Sequence, residues 1–207
     1  MKIHFLVTGV LAALLAFSSA APNAMAQIAS KAPNAVKAGT YKIEPNHTQI
    51  IFSVSHFGFS NFSGFFSGVS GTLILNPANL DISKLEVSVP VDSVLTTVPV
   101  LDTELKDTDW FDTAKFPVAT FVSTAVTRTG SDTATIIGDL TLHGVTKLVT
   151  LKARLVGSGT NPLDKSFTTG FDATGEINRV DFGVKQYSPL LGDTVTLRIA
   201  GAFVLQS

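Results

Sequence analysis

The sequence predicts an all-β domain of successive antiparallel strands, and three observations carry that reading. Apolar and polar residues alternate over most of the chain, the period of a strand with one buried face. Leu85, Val87, Val89 and Val91 alternate with Lys84, Glu86, Ser88 and Pro90, and Val149, Leu151, Ala153 and Leu155 alternate with Thr150, Lys152 and Arg154. Short turn-forming runs such as Asn76-Pro77, Thr129-Gly130-Ser131-Asp132 and Gly157-Ser158-Gly159 separate these stretches. A single segment breaks the alternation. Such a pattern leaves an antiparallel sandwich and a closed barrel both open. One further feature favours a barrel: two late strands mix large with very small groups on their dry faces. These are Phe167, Thr169, Phe171, Ala173 and Gly175 on one, and Val195, Leu197, Ile199, Gly201, Phe203 and Leu205 on the other. Small inward residues suit a hollow bore and a solid, taper-filled one alike.

In chain order, Lys2 precedes an apolar run from Ile3 to Phe17 and a small-residue site ending Ala24-Met25-Ala26. The run is shorter than the roughly twenty residues a spanning helix needs, so residues 1–26 read as a secretory signal peptide and the protein as exported to the periplasm. Residues 27–39, without periodicity, read as a flexible leader. The domain occupies 40–207, with strands expected near 48–57, 64–75, 84–92, 118–127, 133–142, 147–156, 167–177 and 194–205. The break in alternation lies between Ser93 and Phe116, where residues 99–113 set Asp102, Glu104, Lys106 and Asp109 around Leu101 and Leu105 and suit a short helical excursion.

Composition excludes several functions. From Gln27 the chain has fourteen basic against sixteen acidic residues and no basic stripe, which argues against a nucleic-acid partner. No cysteine is present, so disulfides, thiolate metal sites and a thiol nucleophile are excluded. His47, His56 and His143 lack the spacing of a metal site. Gly68-Val69-Ser70-Gly71-Thr72 departs from the hydrolase elbow at its last position, and no phosphate-binding glycine loop occurs.

The stretch "IIFSVSHFGFSNFSGFF", Ile50 to Phe66, is the most distinctive. Ile50, Phe52, Val54 and His56 share one parity, which places His56 on the apolar face. It reads either as a core-edge histidine satisfied by one hydrogen bond or as the polar end of an apolar pocket. Phe57 to Phe66 reads as an aromatic turn region between two strands. On the dry faces Phe52, Val54, Leu73, Phe121, Leu140, Leu142, Phe171, Leu197 and Ile199 form the expected wall, where packing and ligand contact overlap. His56, Arg179 and Asp181 are the expected polar end, although Arg179 and Asp181, two apart, also suit a bracing ion pair. Trp110 and Phe111 sit on the helical excursion, where they could cap a barrel. Asp139, His143 and Thr146 read as stabilisers of a hairpin at Gly144.

From about Thr40 to Leu205 the chain resembles the YceI-like family of exported lipid-binding or polyisoprenoid-binding domains. The resemblance is carried by "YKIEPNHTQIIFSVSHFGFSNFSGFF", "LDTELKDTDWFDTAKFPVATFVST", "GDLTLHGVTKLVTL" and "INRVDFGV". Leu101 stands where the family usually has arginine, Val180 where a small hydroxyl residue usually follows the arginine, and Thr48 where serine is usual. The resemblance implies an eight-stranded antiparallel β-barrel, lipocalin-like and closed at one end, that holds a long-chain isoprenoid lipid, polyprenyl or quinone-like. It implies no cofactor beyond that lipid, no catalytic residue and no stable membrane insertion; a homodimer is left open. Two other functions stay in play: an enzyme or redox helper acting on a quinone-like lipid with His56 as acid or base, and a stress-induced partner-binding module with a solid core.

Overall fold

The structure is a computed structural model and describes residues 28–206; the expected signal peptide, 1–26, lies outside the described residues. Ten strands follow one another: β1 (Gly39–Ile43), β2 (Gln49–His56), β3 (Ser60–Phe66), β4 (Ser70–Leu75), β5 (Lys84–Pro90), β6 (Val118–Arg128), β7 (Thr133–Leu142), β8 (Val145–Thr160), β9 (Phe167–Asn178) and β10 (Leu191–Leu205). All pair antiparallel. The ladder runs β1-β4-β5-β6-β7-β8-β9-β10 and closes by pairing β10 with β1.

The barrel has eight staves because two of them are broken. β10 pairs with β2 along Leu191–Ala200 and with β1 along Phe203–Leu205, so β1 and β2 are one interrupted stave. Likewise β3 pairs with β2 and β4 with β1, making β3 and β4 a second. The first break is a 3-10 turn at Pro45–His47, capped by the Glu44 carboxylate, which accepts from the backbone N–H groups of Asn46 and His47 and pairs with His47 Nδ1. Partial burial pushes the Glu44 carboxyl up, but these bonds outweigh it and hold the group below its ordinary value. Thr48, buried, takes the Ala202 N–H on its hydroxyl at 3.0 Å and seals the break to β10.

Two expectations change. The aromatic turn expected at Phe57–Phe66 is confined to Phe57–Phe59, and the rest is strand β3. Phe62, Gly64 and Phe66 oppose Val54, Phe52 and Ile50, so alternation does continue, masked in the sequence by serine and glycine. The leader expected to be flexible over 27–39 lies, from Ile28 on, against the barrel. Ser30 pairs with Ser158 through two 2.9 Å backbone bonds, the Lys37 ammonium sits 4.2 Å from the Phe167 ring centre, and the buried Tyr41 hydroxyl donates to Lys37 O at 2.7 Å. A Cβ on Gly157 would stand 3.0 Å from Ala29 Cβ, so the missing side chain is what admits the leader.

Between β5 and β6 the helical excursion appears as α1 (Pro99–Glu104), with proline in its first turn, followed by turns to Lys115. Leu105 and Trp110 pack with Val94, Val184 and Leu191 and roof one end of the barrel. A larger cluster around Tyr41, Leu73, Phe121, Leu151 and Phe203 fills the wall of the remainder. Among the described residues no helix is long and apolar enough to cross a membrane.

Candidate functional site

The barrel is hollow. A cavity of about 220 Å³ occupies the end near the leader and one of about 410 Å³ the end beneath the excursion. Ile50, Val89, Leu140 and Leu197 line both, so the two cavities lie on either side of a waist formed by these four residues.

Cross-strand pairing shows how the bore stays open. Along β9 and β10, Leu197 faces Gly175, Ile199 faces Ala173, Phe171 faces Gly201 and Phe203 faces Thr169. The small members leave room for large neighbours: a Cβ on Gly201 would stand 2.9 Å from the Phe203 ring and one on Gly175 2.6 Å from Leu151 Cδ2, and the Phe171 and Phe203 rings pack edge to face at 5.9 Å. Two glycines do this elsewhere. The Phe52 ring lies in the space a Cβ on Gly64 would need, and Phe121 Cζ would be 2.5 Å from a Cβ on Gly138.

Thirteen of the fourteen residues singled out in the sequence line the bore. Leu73, Phe121, Phe171 and Ile199 line the leader-side chamber; Phe52, Val54, His56, Trp110, Phe111, Leu142 and Arg179 line the other; Leu140 and Leu197 line both. Asp181 does not belong with them. It is exposed, outside the bore, because the 3-10 turn Arg179–Phe182 sends residues two apart to different sides. The acidic partner of Arg179 is Asp193, at 3.3 Å.

Arg179 is 5% exposed and spends all its donors on the protein. Nε donates to Gly192 O at 2.9 Å, Nη1 to Val184 O and Gln186 O at 2.9 Å each, and Nη2 to Leu191 O at 2.8 Å and to Asp193. Burial pulls its pKa down and Asp193 offsets part of that. With five N–H groups all engaged, Arg179 is a clamp on the 183–193 loop and has no donor left for a ligand.

His56 lies at the mouth of the larger chamber, exposed, with its ring 4.3 Å from that of Phe57. The core-edge reading required a hydrogen bond, and its side chain makes none with the described residues. Trp110 donates from Nε1 to Glu104 Oε1 at 3.0 Å, which satisfies the indole N–H and holds Glu104, a further polar residue of the larger chamber's lining. Phe66 stands between Phe52 (5.6 Å) and Phe111 (5.7 Å), an aromatic seam joining β3 to the excursion. His143 lies outside the bore and ties the β7–β8 hairpin to Phe182 O at 3.1 Å, its ring against Phe116. Leu101 lines the larger chamber and adds to its apolar wall.

Sequence reasoning missed the other waist residues, Ile50 and Val89, although parity with Phe52 and Val87 points to them. It also missed Val184 and Tyr187 on an irregular loop with no period to read, Leu191 where a register shift interrupts the start of β10, and Arg128, Ser131 and Asp132 at the leader-side end. Arg128 is tied to Pro77 O at 2.7 Å and Ser131 O at 3.3 Å. Among the described residues no group of three or more His, Cys, Asp or Glu could hold a metal.

A closed eight-stranded antiparallel barrel around an apolar bore, with polar groups only at its ends, places the protein among the lipocalin-like barrels. The YceI-like domain pattern matches residues 41–203, and the chain belongs to that family. Protein YceI of Escherichia coli O157:H7 is 41% identical over 150 residues, which is 72% of this chain and 78% of the relative. Burkholderia cenocepacia BcnA shares the fold with a TM-score of 0.70 at 21% identity, covering 77% of this chain and 98% of BcnA. A polyisoprenoid binding domain from Saccharophagus degradans shares it with a TM-score of 0.60 at 15% identity, covering 82% and 100%.

Proposed function

We propose that the protein is an exported, periplasmic binder and carrier of one long-chain isoprenoid lipid, polyprenyl or quinone-like, held in the barrel with its polar end at the His56 mouth. The two apolar cavities stacked on either side of the Ile50, Val89, Leu140 and Leu197 waist carry this reading. A drug-sized ligand fills a compact pocket, whereas two chambers in line with a narrow join match a flexible chain. Burying such a chain gains about 0.8 kcal/mol per methylene, so length alone supplies affinity and few polar contacts are needed. The polyisoprenoid binding domain with the same fold supports the ligand class.

Binding is favoured over catalysis by the state of His56. Among the described residues its side chain makes no hydrogen bond of the kind that orients a general acid or base acting on a quinone-like head, and its ring packs on Phe57 instead. The hollow bore likewise weighs against a partner-binding module with a solid core.

Trp110 is the only tryptophan and lines the larger chamber, so it reports occupancy directly. Protein stripped of lipid should change Trp110 emission on titration with isoprenoid alcohols or quinones, with affinity rising with chain length. Affinity independent of chain length, or no change with any of them, would overturn the reading.

A further inference from the structure

We infer that the His56 end of the barrel is a docking face for a phospholipid bilayer, held by apolar insertion and not by charge. The inference rests on the lipid-carrier reading and says where such a ligand enters and leaves. Four large side chains at this end stand in solvent: Phe57 is 43% exposed, Phe59 89%, Tyr187 51% and Leu190 68%. They belong to two loops that pairing brings together, because Leu191 opposes His56 in the β10–β2 ladder and so sets Leu190 beside the Phe57–Phe59 turn. Phe57 holds a φ of 53°, a left-handed conformation that a bulky residue rarely adopts, and Gly58 follows at 74°. The strained turn thus carries an aromatic ring where asparagine or glycine would fit more easily, which points to a use for the ring.

Phe57 and Tyr187 also line the larger chamber, so apolar side chains reach from the bore to the exterior beside His56. The two loops themselves carry no charge, and charge at this end lies on the excursion, where Asp107 and Asp109 are exposed. No Asp, Glu, Lys or Arg occurs between Glu44 and Asp81 or between Lys185 and Asp193, the stretches that contain both loops. At the opposite end the exposed Leu163 and Ile82 stand singly, beside Asp164 and Asp81. Uncharged aromatic loops match the boundary between headgroups and acyl chains, where rings concentrate and apolar faces sink about 5–10 Å.

The test is flotation of the mature, lipid-loaded protein with phosphatidylcholine vesicles at low and high salt, repeated with phosphatidylglycerol added. Phe59→Ser combined with Leu190→Ser is the variant, since both side chains are exposed and neither lines the bore. The wild type should float with phosphatidylcholine alone, indifferent to salt, and the double variant should partition at least about tenfold less, the worth of one such side chain, with thermal stability and bound lipid unchanged. No flotation, flotation that needs phosphatidylglycerol and vanishes in salt, or a variant that floats as well as wild type would overturn the inference. So would a wild-type dimer in sedimentation that the variant breaks, since a second copy would then cover the face. Bound lipid is read separately by mass spectrometry, so a protein that docks yet carries no lipid overturns the carrier reading alone.

Discussion

Arg179 shows how a residue that reads as a ligand contact is a structural one. Its guanidinium gathers carbonyls from Val184, Gln186, Leu191 and Gly192, and with Asp193 these use every donor it has. Arg179→Lys keeps the charge but offers three donors in place of five, leaving buried carbonyls unpaired. It should lower unfolding free energy by at least about 2 kcal/mol in urea titration. Asp181→Asn, exposed and outside the bore, should stay within about 0.5 kcal/mol of wild type. A stable Arg179→Lys that loses only bound lipid would make Arg179 a headgroup contact instead. The acceptors for Arg179 are backbone groups of an irregular loop, which leave no side-chain signature, so the clamp was not legible in the sequence. The wall was: the shared parity of Phe52, Val54 and His56 places all three on the bore.

Among the elements, the broken first stave decides the barrel's shape, and Glu44 makes the break. Its carboxylate caps the Pro45–His47 turn and is held below its ordinary value of 4.5. A depressed folded-state value means that the contribution is complete above pH 4.5 and is lost as pH falls through the lower folded value. Glu44→Ala should therefore cost about 1 kcal/mol at neutral pH, the worth of a helix-type cap, and the gap between variant and wild type should close in acid. Denaturation at pH 7 and at pH 3 checks both, and a gap that widens in acid would contradict the account. The sequence shows proline in this segment but not that β1 and β2 share one partner, because sharing is a property of β10. The same blindness hid β3: its serines and Gly64 carry no apolar signal, and only pairing with Phe52 and Val54 reveals the strand.

At the scale of the whole molecule, strand alternation is the same in a sandwich and a barrel, and closure depends on one strand reaching two partners. β10 does so over 15 residues, about 50 Å of chain at 3.3 Å per residue. The mixture of large and small inward groups favours a barrel over a sandwich but suits a hollow and a solid interior alike, and the two cavities show the hollow one. The waist makes a further prediction. Leu140→Trp projects a larger side chain into existing space, so stability should hold within about 1–3 kcal/mol, while binding of long chains is lost and short chains are still taken. Equal loss for both lengths would show that the chambers do not act as one bore.

The central claim, that the bore holds a long isoprenoid chain, is tested most directly by native mass spectrometry of the protein purified without detergent from its own source. The account predicts a species heavier than the polypeptide by one lipid, whose extracted fragments carry the repeating isoprenoid unit. A spectrum showing only the bare polypeptide, or a bound molecule without a long apolar chain, would contradict it.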